Sequence, residues 1–323
     1  MSNSFADDFS LDFPRALGPV CGKALFRRQC EDFEVDEILG FELSGEGEHL
    51  YLQICKVNEN TRWVAHLLAD HFGVDGSAVG YAGLKDRRAV TTQWFSVHIP
   101  KGQEPPVLPD MPGCQILSVT RHSRKLRPGA HGANRFVIRL GEVSGSRDGI
   151  EARLSTIAAG GVPNYFGEQR FGIGAGNLRE VAAILARPSP RFRGKRGGLY
   201  LSAARSWLFN QVLAAHLKEG AWPDIVSANG ASDGPLWGRG RNPAQPSLAA
   251  FEAEVLQPWQ AWCHALEHSG LKQERRSLVL VPDAFSWRWQ NADLVLSFSL
   301  PPGAFATAVL REVAVLIVPE PMV

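Results

Sequence analysis

Residues 80–99 read GYAGLKDRRAVTTQWFSVHI and set a single acid, Asp86, among Lys85, Arg87 and Arg88. Gly80, Ala82 and Gly83 bring little side-chain bulk to the approach, so the backbone can turn tightly there and another molecule can come close. From Gln93 onward the residues alternate. Phe95, Val97 and Ile99 fall on one face and Trp94, Ser96 and His98 on the other, the pattern of a half-buried strand. Asp86 is therefore predicted to lie on a loop that enters a strand. Neighbouring cations favour an anionic carboxylate, which is the form that a nucleophile or a general base requires.

Working outward from this loop, CEDFEVDEI at 30–38 reads as a short strand that brings Phe33 up beside acids, and LYLQIC at 50–55 as another. Residues 58–73 have an Asn or Thr start, apolar positions at Val64, Leu67, Leu68 and Phe72, and a terminal glycine, the signature of a capped helix. Residues 115–119 and 134–140 supply two more strands, the second with Phe136, Ile138 and Leu140 in phase, and a helix fits 148–159. At Gly160 and Gly161 the character changes. A run rich in glycine and aromatics, a basic stretch, helices predicted over 202–218 and roughly 248–271, and a Pro, Gly and Trp-rich stretch from 221 to 246 follow. Strand alternation returns in FSWRW and LVLSFSL, and a helix from about 304 to 315 closes the pattern. Strands and helices mixed in this order predict an α+β fold, largely antiparallel, rather than a doubly wound sheet. The economical division is a core of residues 1–160 and 283–323, interrupted by an inserted α/β domain at 161–282.

Apolar residues make up 45% of the 323-residue chain, ordinary for a soluble globular protein, and no run approaches the ~18 residues of a membrane span. The N-terminal MSNSFADDFSLDFPR has no basic start and no apolar core, so it does not read as a secretory signal, and a cytoplasmic location is expected. Five cysteines without a CxxC pair argue against a disulfide framework or a structural zinc site. A net charge of +1 is not that of a wholly basic protein, but its distribution is uneven. No acid occurs between Val181 and Leu217, where Arg187, Arg191, Arg193, Lys195, Arg196 and Arg205 lie, and RHSRKLR occupies 121–127. These two patches suggest a polyanion contacted along a defined track; solvated loops are the alternative.

Two other motifs lack their context. Gly230-Ala-Ser232-Asp-Gly234 fits GxSxG, yet neither the preceding strand nor the following helix of a nucleophile elbow is predicted. The glycines of GIGAGN, at 172, 174 and 176, miss the spacing of a dinucleotide fingerprint and follow a loop. The histidines show no HExxH spacing, and no acid cluster suggests a metal cage, so cofactor-free and metal-free chemistry is expected.

The string GYAGLKDRRAVTTQW resembles the motif of the tRNA pseudouridine synthase D family, GxKDxxAxTxQ, matched by Gly83, Lys85, Asp86, Ala89, Thr91 and Gln93. NYFGEQRFG at 164–172 and SAARSWLFN at 202–210 are similar to two strings of that family's inserted domain. The resemblance runs from about Phe33 to Glu312 and leaves 221–270 unanchored. It implies a pseudouridine-synthase core that converts uridine 13 of tRNA to pseudouridine, with Asp86 as the catalytic carboxylate and Phe33, Lys85, Asn134, Phe136 and Phe305 against the substrate. Lys85 would keep the carboxylate anionic and near the sugar, Phe33 could stack on the flipped base, and Asn134 carries a donor and an acceptor for a uracil edge. tRNA is the implied partner, and a monomer with no cofactor, metal or membrane contact is expected. A non-catalytic RNA-binding protein, or the same chemistry on another RNA, are the competing readings.

Overall fold

Alternation of apolar and polar side chains governs the first half of the chain, and in the computed structural model it produces strands nearly wherever it occurs. The structure describes residues 9–100, 107–187, 190–192, 194, 196–227 and 232–319. In chain order these give β1 (Gly22–Phe26), β2 (Phe33–Leu39), β3 (His49–Val57), α1 (Thr61–Phe72), β4 (Val79–Tyr81), β5 (Val90–His98), β6 (Cys114–His122), β7 (His131–Gly145) and α2 (Arg147–Gly160). Next come β8 (Val162–Pro163), α3 (Gly176–Leu185), α4 (Gly197–Lys218), α5 (Trp222–Ser227), β9 (Asp233–Leu236), α6 (Pro246–Val255), α7 (Gln260–Glu267), β10 (Glu274–Ser277) and β11 (Val279–Leu280). The chain ends with β12 (Asp283–Gln290), β13 (Asp293–Leu300), α8 (Ala306–Val313) and β14 (Val315–Ile317). The fold is α+β.

Two compact units result. The first comprises Cys21–Leu154, Pro282–Gly303 and Ala314–Val323, and the second Met1–Val20, Ser155–Val281 and Ala304–Val313. The first is built on a ten-stranded sheet in the order β12-β13-β7-β2-β5-β3-β6, with β1 joined to β7 and β14, and β4 to β5. Among the described strands of this sheet, the β2–β5 and β1–β14 pairings are parallel and the others antiparallel. Helix α1 covers one face through Val64 and Leu68, which pack with Leu50, Leu52, Ile54, Phe95 and Val97. Asn60 caps its first turn by accepting from the Arg62 amide at 2.8 Å, and Gly73 ends it at φ 61°. Each such fully buried aliphatic side chain stabilises the fold by roughly 1.5–3 kcal/mol.

The second unit wraps α4, whose Ala203, Ala204, Trp207, Leu208, Phe209, Val212 and Leu213 are all buried. A helix apolar on all sides belongs in the middle of a core, and Phe9, Phe13, Tyr165, Phe171 and Trp262 pack in the same cluster. The single helix predicted over 248–271 is two, α6 and α7, separated by a 3-10 turn at Gln257–Trp259. Pro258 stands in that turn, and proline removes a helical donor and clashes with the preceding turn. The inserted stretch also holds two antiparallel strand pairs, β9 with β10 and β8 with β11, too short to show as alternation. A strand, β9, begins immediately after Ser232, so no nucleophile elbow forms there; Gly230 and Ala231 lie outside the described residues.

Candidate active site

The loop of residues 82–89 joins β4 to β5, and its shape is fixed by side chains that never reach solvent. At its start a Cβ on Gly80 would meet the Leu126 carbonyl at 2.3 Å and Ser96 Oγ at 2.6 Å, so only glycine fits. Thr61, at the head of α1, accepts from the Lys85 amide at 3.0 Å and donates to Gln93 Oε1 at 2.8 Å. Gln93 Nε2 in turn donates to the Gly83 carbonyl at 3.2 Å. Ala89, Thr91 and Gln93 are each wholly buried. Thus nearly the whole motif is a frame, and Asp86 is its exception, with a third of its side chain exposed.

Beneath the loop lie two charged groups that alternation alone would have made apolar. On β2, Phe33, Val35 and Glu37 share the buried face. Glu37 is buried, its Oε2 accepting from Lys85 Nζ at 2.5 Å and its Oε1 from the Trp94 amide at 3.1 Å. On β3 the buried series Leu50, Leu52, Ile54 ends in Lys56, which donates to the Glu59 carbonyl at 2.6 Å and approaches the Asp86 carbonyl at 3.4 Å. Burial pushes the Lys56 ammonium down from its ordinary 10.5 to about 8.

Arg27 meets the Asp86 carboxylate. Its Nη2 donates to Oδ2 at 2.6 Å, while Lys85, the residue expected in that role, turns to Glu37. Arg27 directly follows β1 with φ at 58°, a left-handed conformation that is costly for a side chain larger than asparagine. Its guanidinium carbon lies 4.0 Å from the centroid of the Phe33 ring and 5.0 Å from that of Phe26. Phe33 is 3% exposed and meets Phe136 edge-on at 6.0 Å; Phe136 in turn stacks on Phe298 at 5.5 Å. A base could stack on the Arg27 side of Phe33 only after Arg27 moved.

Asn134 pairs in register with Glu37 across β2 and β7, which sets it on the same face. Its Nδ2 lies 3.1 Å from His131 Nε2, and its buried Oδ1 has no hydrogen-bond partner, leaving an acceptor open. Burial lowers the His131 pKa, and the Lys85 charge adds to the effect. Asp86, Phe33, Lys85, Asn134 and Phe136 thus all belong to the sheet unit, whereas Phe305 belongs to the other, where its ring lies 6.0 Å from Phe166.

Sequence reasoning missed Arg27, Glu37, Lys56 and Thr61. For Glu37 and Lys56 a signal was present, a charge in the apolar phase of a strand; for Arg27 there was none. Of the basic track, Arg187, Arg191 and Arg196 are exposed, and Arg193 and Lys195 lie outside the described residues. Arg205 is a half-buried staple instead, donating to the carbonyls of Leu236, Trp237 and Lys272 and pairing with Glu274 at 3.1 Å. Among the described residues one group, His264, Glu267 and His268, presents metal-capable donor atoms within 4.8 Å of one another. Both histidines are exposed, and Glu267 already accepts from Trp237 Nε1 at 3.0 Å.

Residues 19–191 and 233–313 match the family model of tRNA pseudouridine synthase D. The chain belongs to that family. A protein named tRNA pseudouridine synthase D from Cellvibrio japonicus is 50% identical over 314 residues, covering 94% of this chain and 93% of that one. Another so named, from Aeromonas hydrophila, is 45% identical, covering 91% and 92%. A crystal structure of a candidate tRNA pseudouridine synthase D from Methanosarcina mazei shares the fold, with a TM-score of 0.64 over 95% of each chain at 20% identity.

The two strings that resemble the inserted domain of the tRNA pseudouridine synthase D family prove to be one assembly. Asn210, wholly buried in α4, accepts from the Phe166 amide at 2.9 Å and donates to the Phe166 carbonyl at 3.0 Å, as a neighbouring strand would. Ser202, two turns earlier, accepts from Arg170 Nη1 at 3.0 Å. A Cβ on Gly167 would come within 2.8 Å of Thr307 Oγ1, so this glycine lets α8 lie against the string.

Proposed function

We propose that this protein converts uridine 13 of tRNA to pseudouridine, with Asp86 as the catalytic carboxylate. The observation that carries the reading is a part-exposed carboxylate, gripped by Arg27, on a loop whose motif side chains Lys85, Ala89, Thr91 and Gln93 are buried, with Lys85 paired to Glu37 and Gln93 tied to Thr61 and the Gly83 carbonyl. Such a loop holds the carboxylate where a nucleotide lifted out of its stack can meet it. Isomerisation requires the bond from ribose C1′ to uracil N1 to break, the base to turn, and C5 to bond to C1′ with loss of the C5 proton. A single carboxylate can serve, by attacking C1′ or by removing the C2′ proton to give a glycal. Arg27 holds Oδ2 and so fixes the direction in which the carboxylate is presented. The open Asn134 acceptor suits the N3–H of uracil, and Phe136 and Phe305 are assigned to the base by resemblance.

The test is tritium release from tRNA labelled at uracil C5. Asp86→Asn keeps the shape of the side chain but can neither attack carbon nor take a carbon-bound proton, so release should stop while tRNA binding in a filter assay persists. Release by the asparagine variant at the parent rate would remove Asp86 from the chemistry. No release by the parent from any cellular tRNA would favour a protein that only binds RNA.

A further inference from the structure

In the unit that contains α4, most half-buried arginines face a carboxylate: Arg205 meets Glu274, Arg275 meets Asp233 and Glu252, and Arg311 lies near Glu312. Arg170 does not. Among the described residues no carboxylate lies within ion-pair distance of it. Its Nη1 donates to the Ser202 hydroxyl at 3.0 Å, and its guanidinium stands 5.7 Å from the Phe166 ring and 5.6 Å from that of Phe305. Its Nε is buried without an acceptor. On the same Phe166 ring, at 4.2 Å, lies a second guanidinium, that of Arg276, which donates to Asn164 Oδ1 at 2.5 Å.

Ring faces and a hydroxyl can hold a guanidinium, but they do not neutralise it. The two like charges are close enough to oppose one another: burial lowers the Arg276 pKa to about 10, and the Arg170 charge contributes. An anion between them would relieve both burial and repulsion, and a tetrahedral oxyanion matches the paired donors of a guanidinium. A ligand could reach the place from solvent. Arg170 and Phe305 are only partly buried, Glu168 and Gln169 are exposed, and Ile173 on the same loop is wholly exposed.

We propose that Arg170, with Arg276 beside it, forms a phosphate subsite that takes one backbone phosphodiester of the RNA substrate; this rests on the tRNA reading above. The test compares the parent, Arg170→Gln and Arg170→Lys in tRNA filter binding across a salt series, with tritium release alongside. Losing one phosphate contact should reduce the log–log salt slope by about 0.7–0.9, so that a fourfold rise in salt weakens the glutamine variant about threefold less than the parent. The lysine variant should keep a slope near that of the parent. An unchanged slope in the glutamine variant, or a lysine variant no different from it, overturns the proposal, the latter because packing alone would then explain the residue. Should Arg170→Gln not fold, Arg276→Gln takes the same series and is judged alike.

Inorganic phosphate supplies an independent arm. At matched ionic strength it should raise the thermal midpoint of the parent above that in chloride, and Arg170→Gln should lose the increment. A phosphate increment without any slope change would mean a free anion as ligand and would overturn the RNA assignment. A phosphate increment lost on substitution, beside a parent that releases no tritium, would keep the subsite while removing the proposed activity.

Discussion

Replacing Lys56 by methionine should make the protein more stable and less active. The lysine is wholly buried with only main-chain carbonyls as hydrogen-bond acceptors, Glu59 at 2.6 Å and Asp86 at 3.4 Å. Its pKa falls from 10.5 to about 8, chiefly through burial; Cys114, Asp86 and Glu59 pull it up and Lys85 pushes it down. At about 1.4 kcal/mol per unit, keeping the ammonium charged in the fold near neutral pH costs about 3 kcal/mol. Methionine is similar in length and removes that cost, but it strands two carbonyls at about 1 kcal/mol each. The net expectation at about pH 7 is a gain of about 1 kcal/mol. Between about pH 8 and the unfolded value of 10.5 the folded parent binds fewer protons than its unfolded chain, so this residue makes the parent more stable as pH rises. The methionine variant lacks that rise. Its advantage should therefore vanish and reverse by about pH 10, a swing of about 2–3 kcal/mol. The Cys114 thiol, raised by burial from 9.0 to about 11, lowers stability as pH rises between those values, but it does so in both proteins and the comparison between them removes most of it. Urea unfolding at the two pH values gives the difference directly. Tritium release should fall about tenfold or more, since the loop that presents Asp86 loses its buried donor. A variant less stable at neutral pH, by an amount that does not change with pH, would refute the reasoning.

Arg27→Gln removes a cation from Asp86. Charges about 4 Å apart interact by about 1 kcal/mol in water and about 4 at an effective dielectric of 20, and the third of Asp86 that is exposed favours the lower end, so kcat should drop about tenfold with little loss of stability. Glu37→Gln leaves the Lys85 ammonium buried without its counter-charge and should lower stability by about 3 kcal/mol in urea unfolding. The double variant Glu37→Gln, Lys85→Met should recover much of that loss while turnover stays low; no recovery would mean that the pair is not coupled.

The sheet could be read because its buried faces alternate over long runs. Leu50, Leu52 and Ile54 announce β3, and Leu294, Leu296, Phe298 and Leu300 announce β13. The helix at 61–72 carries its own start and stop, Asn60 and Gly73. Strands of two to five residues, such as β1, β8 and β14, show too little alternation to register, and their pairing is decided by distant segments. The site was legible in part. Asp86 stands out as the lone acid among cations, but a cation that meets its carboxylate comes from residue 27, brought there by the pairing of β1 with β7 and by a left-handed residue. Neighbours in sequence gave the charge balance, not the contact. Lys85, adjacent to Asp86, belongs to Glu37 across the sheet.

The two hydrogen bonds between the Asn210 amide and the Phe166 backbone tie a loop to the middle of the most enclosed helix of its unit. In solvent deuterium the Phe166 amide should thus exchange as slowly as the amides at the centre of α4 rather than with the glycine-rich turns that follow it. Loosening that helix would free Phe166 and, through Ser202, the arm of Arg170 in the same opening event, so a substitution at the buried end of Asn210 should be felt by both aromatic ring and guanidinium at once.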